Sequence, residues 1–101
     1  MKKIILAIGL VLASSTIQAS DYRPAADAKP AQIFSDACAS CHGDWGTGKF
    51  GFLLKLTGTT LSKEEIQNRI SAGSTMMPEF PNIKKEQLSQ LVDYVEALPP
   101  Q

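Results

Sequence analysis

The chain is short of the residues that build most metal and disulfide sites. Its 101 residues include two cysteines and one histidine, too few side chains for a four-ligand structural zinc site or a framework of several disulfides. Net charge is also absent, with 10 Lys and Arg against 10 Asp and Glu. No basic run follows the N-terminus, so the electrostatic footprint that nucleic-acid binding needs is missing. Internal repeats and low-complexity tracts are absent too. The length allows one small domain and excludes a multidomain enzyme, and a hydrophobic share of 44% is ordinary for a soluble fold.

The main apolar run, Ile4 to Ala13, follows Lys2 and Lys3 and gives way to small and polar residues up to Ala19. That order matches the charged, apolar and cleavage regions of a secretory signal peptide. As a helix, ten apolar residues rise only about 15 Å and cannot cross a hydrocarbon core of about 30 Å, so a membrane anchor is not expected. Residues 1–19 are therefore expected to be removed on export to the periplasm, leaving one domain over 20–101. Its two cysteines would work where thiols do not normally stay free.

The exported part carries 8 basic and 10 acidic residues. Six of the basic ones, Lys49, Lys55, Lys63, Arg69, Lys84 and Lys85, lie between Trp45 and Lys85 beside only Glu64, Glu65 and Glu79, so the middle is +3 and the two ends together are −5. At this size a core of side chains alone is marginal, and a further staple such as a bound prosthetic group is expected.

Helical signals are local and clear. Pro30 suits the first position of a helix that carries Ile33, Phe34 and Ala37 on one face, runs to about Ser40 and is stopped by Gly43. Ser62 with Glu65 forms a capping box, and Leu61 with Ile66 a hydrophobic staple, opening a helix that Gly73 ends. Leu88, Leu91, Val92, Val95 and Leu98 recur at helical spacing before Pro99, with Asp93 and Glu96 on the opposite face. Between these helices the glycine-bounded run Phe50 to Leu56 reads as a wrapped loop, and Pro78 and Pro81 forbid regular structure over 74–82. The fold class expected is all-α.

The chemistry lies in Cys38-Ala39-Ser40-Cys41-His42. Two cysteines three apart on one helical turn point the same way, and the adjacent histidine can bring its imidazole under the centre of a flat ligand. The pattern fits covalent attachment of one haem c, with thioether bonds from Cys38 and Cys41 and iron ligation by His42 Nε2. A thioredoxin-type redox pair would need a preceding strand, a structural disulfide would close too small a loop to stabilise much, and a zinc site lacks a fourth ligand. For the iron's second axial position the sequence offers Met76 and Met77, soft neutral thioethers that favour the ferrous state. Lys49, Lys55 and Lys84 are the remaining candidates. Trp45 is expected to pack beside the haem, and Phe50, Phe52, Leu54 and Leu56 to line its pocket.

These residues resemble the class I, monohaem c-type cytochromes of small bacterial periplasmic type, over the whole exported chain. Cys-Ala-Ser-Cys-His-Gly at 38–43 matches the haem motif, Ser62 to Gly73 the central helix, and Met77-Pro78-Glu79-Phe80 the Met-Pro-x-Phe ligand loop. Leu88 to Leu98 looks like the final helix, with Tyr94 at the aromatic position that packs on the first helix, and Phe34 stands four residues before Cys38 as in the family. The resemblance implies a cytochrome c fold, three or more helices wrapped around one covalently bound haem, and it selects Met77 over Met76 as ligand. Pro30 stands where the family usually has a small glycine. The family's Gly-Pro-x-Leu segment, whose backbone carbonyl holds the proximal histidine's other nitrogen, appears as Gly51-Phe52-Leu53-Leu54, leaving Gly51 or Phe52 as the expected acceptor. The 35-residue interval from His42 to Met77 is short, so one haem edge is expected to be less covered.

The function expected is electron transfer, one haem cycling between Fe(III) and Fe(II) with His and Met ligands, no substrate turned over, and redox proteins as partners. A peroxidase-like enzyme would lack a second histidine as distal acid or base. A gas-binding module would need a displaceable ligand. If the basic middle frames the haem edge, Lys49, Lys55, Lys84 and Lys85 would steer an acidic partner there.

Overall fold

The computed structural model describes residues 19–49 and 54–99, so the signal segment and Phe50 and Phe52 lie outside the described residues. Four helices appear in the order α1 (Pro30–Ala37), α2 (Ala39–His42), α3 (Lys63–Ala72) and α4 (Lys85–Glu96). Among the described residues there is no β-strand, and no helix is long and apolar enough to cross a membrane.

Helix α1 opens on Pro30, whose fixed φ suits a first turn and whose missing N–H would have had no partner there. It buries Ile33 and Phe34 completely. The helix expected to run on to Ser40 is instead broken at Cys38, where φ −116° and ψ −35° end α1 and start α2. The dihedral change re-aims the chain within one residue, so α2 is a separate turn carrying the end of the Cys-x-x-Cys-His segment.

Helix α3 begins as the sequence dictates. Ser62 Oγ accepts from the Glu65 N–H at 3.2 Å, the Ser62 N–H reaches Glu65 Oε1 at 3.4 Å, and Gly73 ends the helix at φ +69°. Such a cap contributes about 1 kcal/mol. Its buried stripe, Ile66 and Ile70, packs on α4. Helix α4 buries Leu88, Leu91, Val92 and Val95 against both α1 and α3, and Leu98 continues the apolar face past its end. On its outer side Asp93 and Glu96 meet Lys63 of α3 at 3.0 and 3.9 Å in exposed ion pairs.

The crossing of α1 and α4 is made by aromatic contact. The rings of Phe34 and Tyr94 lie 5.4 Å apart and tilted by 51°, so Pro30 in place of a small residue does not keep the two helices from packing. The segment before α1 is strapped across the domain: the Ser20 N–H donates to the Glu79 carbonyl at 2.7 Å, Tyr22 Oη to Asp36 Oδ2 at 3.3 Å, and Gln87 Nε2 to the Ala25 carbonyl at 2.8 Å.

Phe34 is 1% exposed, and its truncation to alanine should cost about 3–5 kcal/mol. In a double-mutant cycle by chemical denaturation, Phe34→Ala and Tyr94→Ala should couple by about 0.5–1.5 kcal/mol. Strictly additive losses would show that the ring pair adds nothing beyond burial.

Candidate functional site

The proximal side is built on α2. Within it the N–H groups of Cys41 and His42 both donate to the Cys38 carbonyl, at 3.2 and 2.9 Å. Cys38 is buried and Cys41 exposed, and neither is in a disulfide. Burial, and after it the neighbouring Cys41, pushes the Cys38 thiol up to about 11, so at neutral pH it keeps its proton. Gly43 then reverses the chain at φ +81°, where a Cβ would stand 2.9 Å from the Gly48 carbonyl oxygen. The Gly48 N–H in turn donates to the His42 carbonyl at 2.8 Å.

His42 is fixed by its ring as well as its backbone. Nδ1 lies 2.6 Å from the Leu54 carbonyl oxygen. A carbonyl can only accept, so Nδ1 carries the proton, and in the neutral imidazole Nε2 is then the nitrogen with a lone pair, the arrangement a metal-ligating histidine needs. The acceptor is Leu54, while Gly51 and Phe52, the acceptors expected, lie outside the described residues. Leu54 has φ +63°, a conformation that costs a non-glycine residue about 1–3 kcal/mol and aims its carbonyl away from the usual direction. A backbone acceptor carries no side-chain signature, which is why the sequence could not select it.

The distal side is built on the end of α3. The Ser74 N–H donates to the Met77 carbonyl at 2.9 Å and the Phe80 N–H to the Ile70 carbonyl at 3.0 Å, so the loop doubles back on the helix it leaves. Only glycine fits at the turning point: a Cβ on Gly73 would come within 2.5 Å of the Met77 oxygen and 3.0 Å of the Glu79 nitrogen. The loop divides the two methionines. Met77 packs against the core, while Met76 is 80% exposed.

These elements enclose one apolar cavity of about 420 Å³. Cys38, Cys41 and His42 line it together with Met76, Met77, Pro78 and Phe80, and Ile66, Ile70 and Val95 belong to its wall. All four residues expected to hold a haem thus share one cavity. Leu56 also lines it, as does Leu54, although 48% exposed and so at the rim rather than buried. Trp45 does not: it is 74% exposed. The Gly46 N–H bonds the Gly43 carbonyl at 3.1 Å, a tight turn with Asp44 and Trp45 at its two outward central positions. Of the lysines expected around the site, Lys49, Lys55, Lys84 and Lys85 line no part of the cavity.

The residues present fit a haem. Two thiols face the same space as an imidazole with a free Nε2 and a thioether, in apolar surroundings wide enough for a flat macrocycle. Among the described residues no cluster of three or more His, Cys, Asp or Glu could hold a bare metal ion. A metal that brings its own ring of nitrogen ligands would need fewer donors from the protein.

Helices around such a cavity, with Cys-x-x-Cys-His on its wall, define a c-type cytochrome domain. The chain belongs to the family described as cytochrome c oxidase, cbb3-type, subunit III, whose sequence profile matches residues 25–95. Among solved structures it is similar to the c-type cytochrome NirC, at 25% identity and a TM-score of 0.54 over 70% of this chain and 91% of that one. Similarity extends to a chain of p-cresol methylhydroxylase with substrate bound, at 26% and 0.55 over 70% and 93%. Cytochrome cL of Methylophaga aminisulfidivorans shares the fold at 24% and 0.56, with this chain covering 69% of its own length and 51% of that protein. No curated protein sequence matches it significantly. The fold is that of cytochrome c, the family's haem is covalently bound, and electron transfer is its general role.

Gly73→Ala should destabilise the holoprotein by at least about 2 kcal/mol, combining a left-handed backbone cost with displacement of the Met77 backbone. Chemical denaturation monitored at the haem absorbance measures it. A loss under about 0.5 kcal/mol, the size of an ordinary surface change, would show that the loop does not need the glycine.

Proposed function

We propose that this chain is an exported one-electron carrier holding a single haem, attached through Cys38 and Cys41, with His42 and Met77 as axial ligands, and that it turns over no substrate of its own. The observation that carries the proposal is the joining of those four side chains on one apolar cavity. Cys38 and Cys41 would hold the group through thioether bonds, each thiol supplying its sulfur to one vinyl carbon and its proton to the neighbouring one. His42 offers Nε2 because Leu54 holds Nδ1–H.

Both methionines line the cavity, and Met77 is favoured over Met76 because it also packs on the core while Met76 is largely exposed. Pro78 narrows Met77 to extended backbone angles and so limits where its sulfur can go. Haem bound in this way would supply a reversible Fe(III)/Fe(II) couple. The contribution of the protein is to keep both axial donors in place through the change, which lowers the reorganisation that electron transfer requires. Export to the periplasm, with cleavage after Ala19, rests on the sequence of residues 1–19, and the partners are donor and acceptor redox proteins. The likeness to a chain of p-cresol methylhydroxylase gives weight to service beside an enzyme, with the chemistry on the partner.

Intact mass under denaturing conditions should show one haem retained on a chain beginning at Ser20. Met77→Ala should abolish the ferric thioether-to-iron charge-transfer band, lower the potential and let ferrous iron bind CO, while Met76→Ala leaves all three nearly unchanged. The reverse pattern would assign Met76. If neither variant changes the band, the distal ligand is not a methionine, and a peroxidase-like or gas-binding role regains ground.

A further inference from the structure

The turn that follows His42 presents two side chains that the cavity does not use. Asp44 and Trp45 occupy its outward central positions, both are exposed, and neither lines the cavity. Among the described residues neither side chain has an ion pair, a hydrogen bond or a ring contact. A carboxylate and an indole, adjacent in the chain, thus stand in solvent unpaired by those residues.

The backbone beneath them is fixed. The Gly46 carbonyl accepts from the Leu56 and Thr57 N–H groups at 2.7 and 3.1 Å, and the Gly48 N–H donates to the His42 carbonyl at 2.8 Å. A Cβ on Gly46 would stand 2.7 Å from Leu98 Cδ1, so the turn also rests on the chain just past α4. A side chain on such a platform needs little ordering when it binds, and tryptophan is among the residues that most often carry the energy of a protein interface.

What the pair fits is a cation. An indole face attracts an ammonium or guanidinium, and a neighbouring carboxylate pairs with the same group. The place is close to the iron ligand: three residue steps separate Trp45 from His42, so their Cα atoms lie within about 11 Å of each other. We propose that Asp44 and Trp45 dock a redox protein through a lysine or arginine set in an apolar part of that protein's surface, bringing it to the His42 side of the haem. The inference rests on the reading that Cys38, Cys41, His42 and Met77 hold the haem. The partner it selects is basic at the contact, opposite in sign to one steered by Lys49, Lys55, Lys84 and Lys85.

The probe is tris(bipyridine)ruthenium(II), a dication clad in flat apolar rings, with a sulfonated phenanthroline complex of ruthenium(II) as the anionic control. Flash excitation lets either complex give one electron to Fe(III), leaving Ru(III) and Fe(II). Intact mass and the thioether band of each holoprotein are recorded first. At low salt, Trp45→Ala should slow reduction by the dication about tenfold and Asp44→Asn about threefold. With the anionic complex both variants should stay within about twofold of the unsubstituted rate, and added salt should slow the dication's reaction alone. Trp45 is the chain's one tryptophan, so its single indole N–H resonance in the ferrous protein should move on titration with the dication and not with the anion. An unchanged dication rate in Trp45→Ala would overturn the proposal, as would an equal loss with both complexes. So would a dimer in sedimentation that Trp45→Ala dissociates, since the occupant would then be a second copy of this chain. Absence of covalent haem or of the thioether band in the unsubstituted protein would overturn the site reading and this inference together, and it is seen before any rate is measured.

Discussion

A cavity of about 420 Å³ walled by apolar side chains is more than this chain can fill by itself. In a domain of this size, burial of side chain against side chain leaves little stability to spare. Here the space that a core would occupy is kept open by helices that touch one another along narrow seams, α1 on α4 and α3 on α4. Each element presents part of its apolar surface to the neighbouring helix and part to the cavity. Ile66 and Ile70 of α3 belong to the buried core and to the cavity wall alike. The bound group therefore serves as the missing core, and the geometry of the site and the stability of the fold cannot be varied separately.

That dependence explains which parts of the structure the sequence made legible. Helices α3 and α4 were readable because their determinants are local. The Ser62 and Glu65 cap lies within four residues of chain, and the repeat of Leu88, Leu91, Val92 and Val95 lies on one face. Cys38, Cys41, His42 and Met77 could be singled out because an attachment motif and a ligand-loop pattern constrain side-chain type as well as spacing, and all four line one cavity. What failed to show was backbone. The break at Cys38, the left-handed Leu54 and its carbonyl on His42 are dihedral and acceptor properties that any of several residues could supply. Trp45 misled for a related reason: its size suggested packing, but a turn closed between Gly43 and Gly46 decides where it points.

The two proposed axial ligands are held by different means. His42 comes from a single turn of helix and is oriented by one ring hydrogen bond to the carbonyl of Leu54, twelve positions away. Met77 lies in a segment without regular structure, yet its backbone is fixed from several directions. Its own carbonyl accepts from Ser74, Phe80 donates to the end of α3, and the Glu79 carbonyl accepts from Ser20. The absence of helix or strand around Met77 is thus no sign of looseness. The loop is pinned by bonds to fixed elements, and Gly73 is what lets it approach them.

The Ser20 contact links the distal loop to the point at which the exported chain is proposed to begin. Before cleavage after Ala19, the Ser20 nitrogen is a peptide N–H; after it, the same atom is an α-amino group with more donors and, near neutral pH, a positive charge. In both forms it can donate to the Glu79 carbonyl, but a charged donor makes the stronger bond. The arm it belongs to is anchored again by Tyr22 on α1 and by Gln87 of α4 holding the Ala25 carbonyl. A chain that must assemble around a cofactor gains from such a strap. It ties the distal loop to the helices that carry the rest of the site.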